Sequence, residues 1–136
     1  MSTAPAMPAA LAECFEHIAL PHRASLLRLR DQIFEVAAET PRIGVIEEAL
    51  RWREPAYLTS TRKSGSTIRL GIEKGADAPA LFFNCKTTLV EEFRQQFGST
   101  LRYSKNRAVL IGAATPAQDT ALRLCIHAAL TYHLRH

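Results

Sequence analysis

The chain has 136 residues, 47% apolar and 22% charged, proportions of a folded protein that can bury a core without disulfide or metal staples. Seventeen Lys and Arg against thirteen Asp and Glu give a net charge of +4, which favours anionic partners at encounter. No apolar run approaches the roughly 18 residues of a membrane span, and MSTAPAMPAALAE has neither the basic start nor the apolar centre of a secretory signal, so a cytoplasmic protein is expected.

Residues 1–10 are small and proline-rich and predict a flexible tail, followed by one domain over 11–136. In RASLLRLRDQIFEVAAE, Leu26, Leu29, Ile33 and Val36 share one helical face, widened by Leu27, Phe34 and Ala37. Thr40-Pro41 then predicts a second, short helix through Ile43, Ile46 and Leu50, ended by Glu54-Pro55. Ser66 to Ile72 alternates as a strand, with Thr67 and Arg69 facing away from Ile68 and Leu70. Ala80 to Cys85 is apolar on both faces and predicts a central strand. Thr88-Leu-Val-Glu91 has the form of a capping box and opens a helix with a Leu89, Phe93, Phe97 stripe. Leu101–Tyr103 and Ala108–Ile111 predict two strands joined by a tight turn in which Asn106 tolerates positive φ. Thr115-Pro116-Ala-Gln118 opens a terminal helix that is apolar nearly all round from Ala121 to Leu130, as a buried helix is.

Together these predict an α+β single domain: a mainly antiparallel central sheet of about five strands, with N-terminal helices and a buried C-terminal helix packed on it. Cys14, Cys85 and Cys125 are far apart and lack metal-ligand spacing, which argues against a disulfide framework and a zinc site. Cys85 and Cys125 read as small core residues, although Lys86 and a helix start after Cys85 would both lower a thiol pKa. Trp52 and Tyr57 bracket Glu54-Pro55 and read as core-edge aromatics that could instead wall a pocket. His127, four residues from Arg123, reads as a satisfied, partly buried histidine.

The stretches WREPAYL (52–58), STIRLG (66–71), ALFFNCKTTLVEEFRQQF (80–97), LRYSKNRAVL (101–110) and LCIHAALTYH (124–133) resemble the YdhG-like family of bacterial domains of unknown function. The resemblance covers roughly residues 20 to 134 and implies a small α+β protein with a central antiparallel sheet. Some members are described as frataxin-like intracellular iron chaperones, which implies an acidic helical ridge as an iron site. In this sequence Asp31, Glu35 and Glu39, at i, i+4 and i+8, are the residues that could form one, although they read first as the solvated face of an amphipathic helix. No other cofactor is expected.

A second candidate site is anionic in its preference. Between Thr59 and Arg69 lie six hydroxyl side chains and three cations, and Ser64-Gly65 permits a tight turn with outward N–H groups. Asn84-Cys85-Lys86-Thr87-Thr88 leads into a helix start, where free N–H groups and the helix dipole favour negative charge. Lys105, Asn106 and Arg107 form a third basic tip. If the two strands are neighbours, Arg69, Asn84, Lys86, Thr87, Thr88 and Arg107 could meet on one phosphate or carboxylate. No Ser–His–Asp set or paired carboxylates stand out, so catalysis is not assigned. The cations are too dispersed for a nucleic-acid surface, and homodimerisation through a sheet edge or the terminal helix stays open.

Overall fold

Strand β3 (Ile68–Glu73) divides the molecule into two faces: Ile68 and Leu70 point to one side, Arg69, Gly71 and Glu73 to the other. The computed structural model describes residues 4–135, with helices α1 (Ala9–Glu16), α2 (Leu20–Glu39), α3 (Leu89–Phe97) and α4 (Pro116–Leu130). The other strands are β1 (Glu47–Arg51), β2 (Glu54–Leu58), β4 (Ala78–Phe82), β5 (Arg102–Ser104) and β6 (Ala108–Leu110). All pairings are antiparallel, in the order β1-β2-β3-β4-β6-β5. The fold is therefore α+β as expected, with six strands in place of five. Among the described residues, no helix is long and apolar enough to cross a membrane.

The register carries the two faces across the sheet. Tyr57, Ile68, Leu70, Leu81 and Val109 fall on the inner face and join the buried residues of all four helices in one core. Ala56, Arg69, Phe82 and Ala108 are cross-strand neighbours on the outer face, where Ala80, Phe82, Ala108 and Leu110 form a separate small cluster. Among the described residues, no helix contributes to that cluster. The α2 stripe behaves as its period requires, burying Leu26, Leu29, Ile33, Phe34, Val36 and Ala37.

The short helix expected after Thr40 is absent. Residues 41–43 make a turn, Gly44 has φ 76, and Glu47–Arg51 is a strand paired residue for residue with β2. Ile43 and Ile46 are buried as their spacing suggests, but they enter the core from a loop, and Leu50 is 37% exposed. Strand pairing here overrides the helical propensity of Glu-Glu-Ala-Leu-Arg. The expected tail also differs: α1 begins at Ala9 and Ala4 and Met7 pack against the core, while residues 1–3 of that segment lie outside the described residues.

A buried ion pair fastens the new strand. Arg30 on α2 and Glu48 on β1 meet through two parallel hydrogen bonds, the second from Nη2 to Oε1 at 2.9 Å, with both side chains less than a tenth exposed. Tyr57 donates its hydroxyl hydrogen to Glu48 Oε2 at 2.8 Å, and Arg30 also donates to the carbonyl of Pro5 at 2.8 Å. The hydrogen bond from Arg30 to Glu48 raises the guanidinium pKa despite burial, and burial pushes the Tyr57 phenol well up. Every charge in this network has a partner, which is the condition under which a desolvated ion pair is tolerated.

The Ser64-Gly65-Ser66 turn has a structural task that its polar composition hides. Ser66 N–H donates to the carbonyl of Ala129 and the Ser64 hydroxyl to that of Leu130, both at 2.8 Å. The turn thus satisfies the last carbonyls of α4, groups a helix cannot pair internally. A Cβ on Gly65 would lie 2.3 Å from the Leu130 carbonyl carbon, so only glycine allows this approach.

Two stability outcomes are expected in urea denaturation. Glu48→Ala leaves Arg30 charged, buried and unpaired and costs about 3–5 kcal/mol, most of which the double change Arg30→Met with Glu48→Leu recovers. Gly65→Ala forces the turn off the end of α4 and costs about 3 kcal/mol. Unchanged midpoints would overturn these assignments.

Candidate functional site

The outer face of the sheet opens into a cleft of about 410 Å³ lined by Arg51, Trp52, Leu58, Thr67, Arg69, Phe83, Asn84, Cys85 and Arg107. Its floor follows from the register: Arg69 stands beside Phe82 across β3 and β4, as the neighbouring-strand expectation required. The Phe82 ring holds two guanidinium groups, with the Arg69 carbon 5.5 Å and the Arg107 carbon 5.6 Å from its centroid. Among the described residues, three of the lining side chains are cationic and none is a carboxylate.

The counter-charges sit beside the cleft. Arg69 Nη1 donates to Glu54 Oε1 at 2.5 Å, and Arg107 lies 3.8 Å from Glu73 on its other side. Gly71 makes room for Glu54, since a Cβ there would come within 2.2 Å of its carboxylate oxygen. Burial pushes the Glu54 carboxyl above its ordinary range, against the pull of Arg69. Backbone and side-chain hydrogen bonds from Gly75 and Ser104 hold Glu73 below it. Arg51 is exposed and, among the described residues, has no carboxylate within ion-pair distance; it donates only to its neighbour's carbonyl.

One edge of the cleft is a strained turn. Arg51 pairs with Glu54, so Trp52 and Arg53 alone connect β1 and β2, with φ 55 and 63. That is the backbone of a two-residue hairpin turn, a place where Asn-Gly is at ease and bulky residues are not. The left-handed conformation costs about 1–2 kcal/mol for each non-glycine residue. Trp52 is 86% exposed, whereas Tyr57 is fully buried, so the two aromatics expected as a bracket have separate roles.

Of the six anion-site residues expected from the sequence, the cleft collects Arg69, Asn84 and Arg107. Lys86, Thr87 and Thr88 are not among its lining residues. The Thr87 hydroxyl is buried and donates to the carbonyl of Asn84 at 2.7 Å, while Asn84 Oδ1 accepts from the N–H of Lys86 at 2.9 Å. These are local turn bonds that shape the entry to α3.

The α3 N-terminus is itself occupied. Thr88 makes no side-chain cap; its hydroxyl bonds to Glu92 in place of the expected box with Glu91, and its N–H donates to the Tyr132 hydroxyl at 3.4 Å. Arg135 then clamps Glu92 through two bonds of 2.7 Å and reaches Thr88 at 3.2 Å. The anion at this helix end is thus a residue of the chain. The Arg135 bonds hold the Glu92 carboxyl down to about 2.

The turn at 104–107 differs in one detail, since Lys105 and not Asn106 takes positive φ, at 51. Asn106 donates to the carbonyl of Cys85 at 3.0 Å and so ties the Arg107 turn to the end of β4. Cys85 is exposed at the rim, not buried, because the chain leaves the sheet at Phe82, three residues earlier than its apolar run suggests. Cys125 is a core thiol whose pKa burial pushes up. His127 is exposed; Arg123 turns from it to α2.

The acidic ridge on α2 is crossed by that arginine. Arg123 donates to Glu35 at 2.7 Å and to Glu39 at 3.2 Å, joining α4 to α2. Among the described residues, no group of three or more His, Cys, Asp or Glu side chains is placed to hold a metal ion. Sequence reasoning missed Arg51 altogether, because its strand was read as helix.

No protein-family model, curated protein or solved structure matches the chain.

The Glu92 clamp has a definite pH signature. Its carboxyl is depressed from 4.5 to about 2, so the clamp contributes fully above pH 4.5 and is lost as pH falls through that interval. NMR titration of side-chain carboxyl carbons should give Glu92 the lower midpoint, and Arg135→Ala should return it to the ordinary range. A normal midpoint in the unaltered protein would remove the clamp.

Proposed function

We propose that the chain is a non-catalytic binding module of the YdhG-like type that takes a small anion, phosphate- or carboxylate-bearing, in the outer-face cleft. The observation that carries this reading is the lining itself: Arg51, Arg69 and Arg107 without any carboxylate among the lining side chains. Guanidinium groups recognise oxyanions by paired N–H donors, and Thr67 and Asn84 add neutral polar groups at the same wall. The volume of about 410 Å³ falls within the range of small-molecule sites. Among the described residues, no histidine and no carboxylate lines the cleft to move a proton, which favours binding over chemistry. Iron delivery through Asp31, Glu35 and Glu39 has less support, since Arg123 supplies counter-charge to two of the three.

Glu54 competes with the ligand for Arg69. Titration with inorganic phosphate, followed by amide NMR, should shift cleft resonances in the unaltered protein and not in the Arg69→Ala, Arg107→Ala double variant. Glu54→Gln should tighten binding several-fold by freeing Arg69, and Lys86→Ala should leave it as it was. Absence of cleft shifts, or equal loss on removing Lys86, would overturn the reading.

A further inference from the structure

The residue at the cleft that folding explains least is Trp52. It occupies a left-handed turn position where asparagine or glycine would sit without strain, and it buries almost nothing in return, at 86% exposure. Strain of this kind persists where the surrounding structure holds it and clusters at ligand sites. Here the surroundings do hold it: Glu48 and Tyr57 anchor the strands on both sides of the turn to α2, so the indole stands at the cleft rim on a fixed base. The same cleft contains Arg69 and Arg107, whose guanidinium groups are steadied on the Phe82 ring.

An exposed indole beside fixed guanidinium groups matches a ligand that is flat and apolar at one end and acidic at the other. We propose that the cleft takes a planar aromatic acid, its ring stacked on Trp52 and its acid group held by Arg69 and Arg107. This rests on the anion-binding reading of the same cleft and adds the class of ligand. Stacking is tolerant of ring identity, because any aromatic ring offers a π face, so selectivity is for flatness more than for a particular hydrogen-bond pattern. An inorganic anion would leave the indole without a partner.

Two matched pairs of probes test this, each differing only in the planar ring: AMP against ribose 5-phosphate, and benzoate against cyclohexanecarboxylate. Trp52 is the chain's single tryptophan, so its emission reports the contact directly, and affinities come from amide NMR titration. In at least one pair the aromatic member should change Trp52 emission saturably and bind on the order of tenfold more tightly than its partner. The pair that discriminates tells whether the acid group is a phosphate or a carboxylate. Trp52→Asn relieves the turn, so its Tm should be equal or higher, while the aromatic member falls to the level of its partner. Equal affinities within both pairs would overturn the aromatic inference and leave the anion reading standing. Discrimination that survives Trp52→Asn would overturn it as well. Failure of all four probes to bind while inorganic phosphate still shifts the cleft would overturn the aromatic inference alone, and failure of phosphate as well would overturn both.

Discussion

The Arg30–Glu48 ion pair is the constraint on which the arrangement of this molecule turns. Glu48 is the one charged side chain that β1 sends inward, and without a guanidinium to meet it that strand could not lie on the core. The same carboxylate accepts from Tyr57 of β2, and the same guanidinium stacks 5.2 Å from the Phe34 ring and binds the carbonyl of Pro5. One buried pair thus fixes the N-terminal segment, α2 and the first hairpin relative to one another. The hairpin in turn supplies Arg51, Trp52 and Leu58 to the cleft lining, so a core interaction sets the position of surface groups.

The two sheet faces solve the burial problem differently. The inner face uses large aliphatic and aromatic side chains against four helices. Among the described residues, no helix contributes to the small cluster of the outer face, whose centre is built from Ala56, Gly71, Ala80 and Ala108. Ala56, Ala80 and Ala108 nonetheless reach zero exposure, and the Arg69 and Arg107 guanidinium groups stand over the neighbouring Phe82 ring. The outer face thus presents guanidinium groups on an aromatic ring where the inner face presents hydrocarbon to helices.

Legibility in the sequence tracked how local the cause was. The α2 stripe, the alternation of β3 and the Thr115 cap, whose hydroxyl accepts from the N–H of Gln118, depend on neighbours in the chain and were readable. The first hairpin was not, because its partner for Glu48 lies 18 residues away and its turn is Trp-Arg, which carries no hairpin signature. Gly44, inside the stretch that resembled a helix, was the available warning. At the site, Arg69, Asn84 and Arg107 were legible because adjacent strands bring them together. Thr87, Thr88 and Lys86 misled, since a helix start reads as an anion site until the distant Arg135 and Glu92 are seen to fill it. The Ser64-Gly65-Ser66 turn read most simply as an ordinary polar hairpin; what its sequence hides is that Ser64 and Ser66 donate to the end of α4.

That turn also reverses the usual ranking of loops by composition. A run of serine, threonine, lysine and glycine has the makings of a permissive linker, the sort of place chosen for grafting a peptide or expected to be nicked by a protease. Because Ser64, Gly65 and Ser66 are docked on the end of α4, extra residues there would unseat a helix and cleavage would first require that helix to let go. The β3–β4 connection from Lys74 to Asp77 is exposed at every position and is the gentler site for grafts and the earlier one for digestion.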